Sequence, residues 1–244
     1  MLSKQGDRAE PPKRWQNKAW VQLLAVGLGV LPLYSGTVVL QLQRDLSIST
    51  RGFIFYLAVI SPLSIVIALL LMRLFCGEHP RELNLRPGKL SSDLLAVLIL
   101  SPVIIVANVV LTGILSGLIR QSSTYSSVRD LFAELAGNPT LFALFVGPLL
   151  LLGAASEELI RAFLLGRLWK VWPSMSGKLA AVVISSGLFG LIHLYQGPVA
   201  VAWTAIFGLI MALYYLKFGR VVPLVLAHYV TNALQVIVFG VQAR

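Results

Sequence analysis

The chain has 244 residues, of which 57% are hydrophobic and only 12% are charged, and its net charge is +10. Soluble domains contain about a quarter charged residues, so this composition excludes an ordinary soluble globular protein and indicates an integral membrane protein. The single cysteine, Cys76, excludes an intrachain disulfide. We therefore predict an all-α fold, a polytopic transmembrane helical bundle of about seven to eight spans.

Seven apolar segments follow one another along the chain, and their lengths suit helices that cross ~30 Å of hydrocarbon. No soluble domain separates them. We therefore expect a basic tail over residues 1–18 and one transmembrane domain over residues 19–244. The segments lie near residues 19–40, 53–75, 94–119, 141–168, 179–195, 199–216 and 221–241.

Basic residues are concentrated in the connections that lie on the same side of the predicted membrane as the N-terminal tail. Lys and Arg in short loops mark the cytoplasmic side, so we expect a cytoplasmic N-terminus. The compact form of the chain suggests a prokaryotic inner membrane. This distribution explains the positive charge through topology and lipid headgroups. The expected partner is thus the lipid bilayer, and no nucleic acid is expected.

Two local features interrupt the predicted helices. Gly147-Pro148 is expected to kink the fourth span, because proline removes a backbone donor and clashes with the preceding turn. The short uncharged connection Tyr195-Gln196-Gly197-Pro198 is typical of a tight turn. We expect this turn to lie within the membrane, against other helices.

Polar side chains stand inside three of the predicted spans, where a charge costs at least a few kcal/mol, and such groups usually face the bundle interior and mark function. The fourth span carries a charged triplet, the fifth a histidine, and the seventh a histidine and an amide. These candidate site residues are Glu157, Glu158, Arg161, His193, His228 and Asn232.

The spacing of these residues predicts which of them meet. Glu157 and Arg161 are four residues apart and share a helix face, so we expect them to form an ion pair. Glu158 is rotated by about 100° and is expected to point into a cavity. His228 and Asn232 are also four apart, and Phe189 and His193 repeat that spacing on the fifth span.

A carboxylate, two imidazoles and an amide in a dry cavity form a recognisable chemical set. A glutamate can act as general base on a water molecule, and a histidine can orient that water. A histidine and an asparagine can donate hydrogen bonds to the oxyanion of a tetrahedral intermediate. The set therefore predicts hydrolysis of an acyl bond, most simply a peptide bond, without a nucleophile from the protein.

Two alternatives stay open at this point. A buried Glu-Arg pair also suits an inactive membrane scaffold or a bacteriocin immunity factor, and Glu with His suits the proton path of a small transporter. His193, His228 and either Glu157 or Glu158 could bind zinc with water in the fourth position. Because the HxxxN spacing lacks the two histidines of a zinc helix motif, we expect no metal or other cofactor.

The three motif segments together resemble the CPBP family of intramembrane proteases, also called type II CAAX proteases or the abortive-infection family. That family is marked by EExxxR, FxxxH and HxxxN. Phe189 to His193 matches the second motif and His228 to Asn232 the third. The resemblance covers about residues 140–240, where it implies a protease core.

The first motif departs from the family pattern, since the chain reads EELIR, with one residue fewer before the arginine. The resemblance implies that the first glutamate activates water and that the second pairs with arginine. The helical spacing instead gives Arg161 to Glu157, so the identity of the base stays open between Glu157 and Glu158. The resemblance also implies a membrane-anchored or prenylated-type protein or peptide substrate. We expect the cavity to open toward the cytoplasmic side.

Overall fold

The structure is a computed structural model that describes residues 15–42, 50–83, 85, 88–118, 132 and 134–242. Nearly all of the predicted basic tail, residues 1–18, lies outside the described residues. The elements between these bounds are helical, as the sequence predicts. They are α1 (Ala19–Leu42), α2 (Thr50–Phe55), α3 (Ser61–Leu74), α4 (Leu90–Leu118), α5 (Pro139–Leu144), α6 (Leu150–Val171), α7 (Met175–Leu191), α8 (Pro198–Phe218) and α9 (Val222–Gln242).

Five helical segments are long and apolar enough to cross a membrane, and two further apolar helices, α7 and α9, are shorter. Together they account for the seven predicted apolar segments. Large aliphatic side chains are exposed along α1, α3 and α4, as expected for surfaces that face lipid. The described part of the chain is therefore a polytopic helical bundle, and the protein is an integral membrane protein.

Two of the spans contain a single wide turn. A π-helical turn at Tyr56–Ile60 joins α2 to α3, and another at Phe145–Leu149 joins α5 to α6. The second contains Pro148, so the predicted irregularity at Gly147-Pro148 is found as a π turn. Single π turns of this kind are frequent at functional sites.

Local sequence also sets where the helices begin and end. The Asn138 side chain accepts a hydrogen bond from Leu141 N, and Pro139 opens α5. Ser174 caps α7 in the same way. Asparagine, serine and an early proline are the expected signals for a helix start.

The predicted turn between α7 and α8 is also present. A 3-10 turn occupies Leu194–Gln196, and Gly197 follows it with a φ of 97°, a conformation that favours glycine. Pro198 then begins α8. This short connection places His193 immediately beside the bundle interior.

The ends of the bundle differ in their chemistry. At the end where α1 begins and α3 stops, Gln16 Nε2 donates to Leu74 O, and Arg167 bonds to both Gln22 and Glu78. At the opposite end, the Thr50 hydroxyl donates to Glu134. We call these the paired end and the cavity end.

Candidate functional site

A cavity of about 490 Å³ lies among the helices, and it brings together four of the predicted site residues. α6 supplies Glu157, the turn after α7 supplies His193, and α9 supplies His228 and Asn232. The remaining members, Glu158 and Arg161, lie directly behind this wall and are completely buried or nearly so. The three motif segments therefore converge, as their polar character predicts.

The predicted pairing of Arg161 with Glu157 is wrong. Arg161 Nε and Nη2 instead donate to the two carboxylate oxygens of Glu158, at 3.0 and 3.2 Å. Positions three and four residues away are both neighbours on a helix, so spacing alone does not choose between the two glutamates. Groups on other helices determine which of the two glutamates pairs with Arg161.

Two of these groups hold the guanidinium of Arg161. Arg161 Nη1 donates to the carbonyl oxygen of Gly208 on α8, at 3.3 Å. The guanidinium carbon also lies 4.1 Å from the ring centroid of Phe189 on α7, a cation–π arrangement. These contacts hold the Arg161 guanidinium on the side of α6 that faces α7 and α8. Glu158 lies on the same side of α6, so Arg161 pairs with it.

His228 lies between the two glutamates. Its Nδ1 is 2.8 Å from Glu158 Oε1, and its Nε2 is 3.5 Å from Glu157 Oε2. A carboxylate that is already paired with arginine is an acceptor, so Nδ1 carries the proton that is shared with Glu158. The ring of Phe207 packs against the imidazole at a centroid distance of 4.6 Å and limits its rotation.

The two glutamates therefore have different surroundings. Glu158 has no exposed side-chain surface and is bonded to Arg161 and His228, whereas the Glu157 side chain keeps 13% of its surface exposed, toward the cavity. This is the order that the family resemblance implies, first glutamate toward the cavity and second toward arginine. The missing residue in EELIR leaves that order intact.

His193 contributes one defined nitrogen to the cavity. Its Nδ1 lies 2.8 Å from the carbonyl oxygen of Phe189, and because a carbonyl only accepts, Nδ1 is the donor. In the neutral ring, Nε2 is then the nitrogen that can accept a hydrogen bond. Tyr195 stacks on the other side of the imidazole, at a centroid distance of 6.0 Å.

The cavity lies toward the cavity end of the bundle, and its expected opening toward the cytoplasmic side stays a prediction. Its wall runs from Phe145, in the π turn before α6, to Glu157 on α6, and on α4 it is confined to residues 108–113. At the paired end, Glu78 joins Arg167 and Lys170, while Arg220 joins Asp93. These ion pairs draw the helix ends together there.

The zinc alternative requires three ligands that converge on one point. Among the residues that the structure describes, no three His, Cys, Asp or Glu side chains are grouped closely enough to hold a metal ion. His228 in particular directs Nδ1 to Glu158. The expectation of a site without a metal stays a prediction.

Several cavity residues were not predicted from the sequence. Tyr56 and Tyr195 line the wall, as do Asn108 on α4 and Gln235 on α9. Gln235 follows Asn232 by three residues, so helical periodicity could have identified it. Tyr56 carries no such signal, because its position depends on the packing of α3 and the π turn before it against α1 and α6.

The fold and the site together define a class: an integral membrane protein with a helical bundle and a buried cluster of glutamate, arginine, histidine and asparagine. Residues 138–234 match the family described as type II CAAX prenyl endopeptidase Rce1-like, which confirms the resemblance over this part of the chain. The match begins at the cap of α5 and includes every predicted site residue. No curated protein and no solved structure matches the chain.

Proposed function

We propose that this protein is an intramembrane endopeptidase in which Glu157 activates the water that cleaves a peptide bond. The observation that carries the proposal is the asymmetry of the glutamate pair: Glu157 faces the cavity beside His228, while Glu158 is bonded to Arg161 behind it. A carboxylate that borders a cavity and has no cation bonded to it is free to accept a proton from water.

The proposed reaction proceeds in two steps. The water oxygen bonds to the scissile carbonyl carbon while Glu157 takes one water proton, and the carbonyl oxygen becomes an oxyanion. The carbon–nitrogen bond then breaks, and the proton held by Glu157 passes to the leaving nitrogen. The products are a new carboxyl terminus and a new amino terminus.

The surrounding groups have separate proposed roles. His193 Nε2 positions the water, and the Asn232 amide donates to the oxyanion. The sequence suggested that His228 shares that second role. We propose instead that His228 accepts a hydrogen bond from the Glu157 carboxyl once that group has taken the water proton, because its Nδ1 is committed to Glu158 and its Nε2 faces Glu157. Arg161 fixes Glu158 and therefore acts on the reaction only through His228.

The proposed substrate is a membrane-anchored protein or peptide, and the proposed chemistry needs no metal. The cavity wall is mainly apolar and aromatic, with residues such as Trp203 and Phe207, which suits a segment that has been withdrawn from lipid. The match to the Rce1-like family supports prenylated-type substrates as the first class to test. The expected setting, a prokaryotic inner membrane with a cytoplasmic N-terminus, is part of the proposal.

One specific observation favours the rival function, an inactive scaffold. Glu158, Arg161, His228 and the Gly208 carbonyl link α6, α8 and α9 by buried polar bonds, as a purely structural cluster would. A scaffold, however, does not require a carboxylate that faces the cavity. It therefore predicts that the isosteric change Glu157→Gln leaves the phenotype intact.

The test compares peptide termini, identified by mass spectrometry, in host membranes that contain equal amounts of wild type or Glu157→Gln protein. We expect new termini near membrane-anchored segments with the wild type alone. Glu158→Gln protein serves as the comparison for damage to the buried cluster. Identical termini in the wild type and Glu157→Gln membranes, with both proteins folded, would refute the protease and support the scaffold.

A further inference from the structure

The cavity contains more amide side chains than the proposed chemistry uses. Gln235 lines it on α9, seven residues after His228 and three after Asn232, so the three side chains share one helix face. Asn108 lines the same cavity from α4, which packs against α9. A carboxamide at membrane depth is costly unless it has hydrogen-bond partners.

Asn108 is oriented by its own helix. Thr112, one turn further along α4, donates its hydroxyl proton to Asn108 Oδ1 at 2.8 Å. That bond uses one of the two acceptor positions of Oδ1 and leaves the Asn108 amino group as a donor at the cavity wall. Within the described part of the chain, neither this amino group nor the Gln235 carboxamide has a protein hydrogen-bond partner.

A substrate explains why such groups are present. A peptide bond in a membrane helix must be unwound before water can reach its carbonyl carbon, and the unwound backbone then exposes N–H and C=O groups that lipid cannot satisfy. A carboxamide offers both donors and an acceptor, which matches the needs of a peptide main chain. Apolar walls alone would leave these groups unpaired.

We propose that Asn108 and Gln235 form a subsite that binds the extended main chain of the substrate on one side of the scissile bond. This inference rests on the proposed protease function. Gln235 lies ~10 Å along α9 from His228. An extended chain advances ~3.3 Å per residue, so the bound main-chain groups belong to a residue about three positions from the scissile bond.

The experiment measures binding, so that it does not depend on turnover. The protein carries Glu157→Gln and is purified in detergent, and the probes are two fluorescently labelled ten-residue Leu/Ala peptides. One has normal amides, and the other is N-methylated at alternate residues, which removes backbone donors. Fluorescence anisotropy gives the two dissociation constants. The test variants are the near-isosteric Gln235→Met and Asn108→Leu.

The subsite predicts that methylation weakens binding roughly three- to tenfold for each hydrogen bond lost. Because the Gln235 oxygen, unlike Asn108 Oδ1, accepts no hydrogen bond from a described residue, we expect it to be the main acceptor, and Gln235→Met should bring the affinity ratio of the two peptides close to one. Asn108→Leu should weaken both peptides alike, since the Asn108 amino group donates to substrate carbonyls. Leu234→Met, on the lipid-exposed side of α9, should leave both affinities unchanged.

Three results would overturn the subsite. The affinity ratio could be the same in Gln235→Met as in the parent protein, Asn108→Leu could leave both affinities unchanged, or neither peptide could bind to the folded parent. Hydrolysis of the unmethylated peptide by protein with Glu157 intact is measured separately by mass spectrometry. Binding that follows the predicted pattern without hydrolysis would preserve the subsite and refute the protease function.

Discussion

Within the described part of the chain, two of the buried clusters of charge look alike in composition. At the paired end, Glu78 is bonded to Arg167 and Lys170. In the middle of the bundle, Glu158 is bonded to Arg161 and His228, with Glu157 beside them. Both clusters join segments that are distant in the sequence, and both bury a carboxylate that is paired with neighbouring basic side chains.

The clusters differ in whether every carboxylate is bonded to a basic side chain. Every carboxylate oxygen of Glu78 meets a cation, and Glu78 does not line the cavity. The central cluster contains one carboxylate more, and that one, Glu157, faces the cavity. Burial and ion pairing therefore do not distinguish a structural cluster from a proposed catalytic one. The distinguishing feature is a carboxylate that faces a cavity and has no cation bonded to it.

Replacement of Glu157 should have the largest effect on activity and little effect on stability. Glu157→Gln keeps the shape of the side chain but removes the proposed base, which should lower the cleavage rate by about 10²- to 10⁴-fold. The thermal unfolding temperature of the purified protein should change little, because no cation is bonded to this carboxylate. Cleavage rate and unfolding are measured on the same preparations.

The matched control is Glu78→Gln, for which we expect the reverse: lower stability and an unchanged rate for each folded molecule. A Glu157→Gln protein that retains the wild-type cleavage rate would contradict the proposed difference between the two clusters. Equal losses of cleavage rate in Glu157→Gln and Glu78→Gln would contradict it as well.

Arg161 should matter more for stability than any other member of the central cluster. Arg161→Met leaves Glu158 as a buried carboxylate without its cation, a change that costs about 3–5 kcal/mol in other buried pairs. The double variant Glu158→Gln/Arg161→Met should regain part of this free energy of unfolding. Denaturant unfolding in detergent measures both, and a single variant as stable as the wild type would contradict the ion-pair assignment.

Much of this architecture could be predicted from the sequence, because its signals are local. Apolar length predicts the helices, and polar residues inside apolar runs identify Glu157, Glu158, His193, His228 and Asn232. The partner of Arg161 could not be predicted, because Phe189 and Gly208 on other helices decide between neighbours that local spacing leaves equivalent. The pairing of Glu78 with Arg167 could not be predicted either, because these residues are 89 residues apart in the sequence.

The paired end should respond to pH through Glu78. Burial raises the pKa of this carboxyl, but the hydrogen bonds and charges of Arg167 and Lys170 outweigh it, so the pKa lies below its ordinary value. A lowered pKa adds stability above about pH 4.3, the ordinary value, and that stability is lost as pH falls through the folded-state pKa. The stability lost in Glu78→Gln should be about 2 kcal/mol at neutral pH and should shrink below pH 4.

Thermal unfolding of both proteins between pH 3 and pH 7 measures this difference. Glu82→Gln is the control, because that side chain is half exposed and lies 3.9 Å from Lys170. A stability difference between wild type and Glu78→Gln that is the same at every pH would show that Glu78 does not stabilise the paired end through its charge.

The smallest effect should come from Gly208, which has no charge and contacts the cluster only through its backbone. A Cβ atom at this position would lie 2.9 Å from Arg161 Nη1 and 3.3 Å from Phe189 Cβ, so Gly208→Ala must displace the guanidinium. We expect a loss of about 1–2 kcal/mol in stability, as for other overpacked cores. Because Arg161 acts only through Glu158 and His228, kcat should fall several-fold while KM stays unchanged.

Gly187→Ala is the matched control, since no atom lies within 4 Å of the Cβ that it adds on α7. The decisive comparison repeats Gly208→Ala in the Arg161→Met background. If Gly208 acts by positioning the guanidinium, the second change should add no further loss of kcat once the guanidinium is gone. An equal fall in kcat in both backgrounds would mean that Gly208 affects the site by another route, and the chain of contacts from α8 to Glu157 would then have to be redrawn.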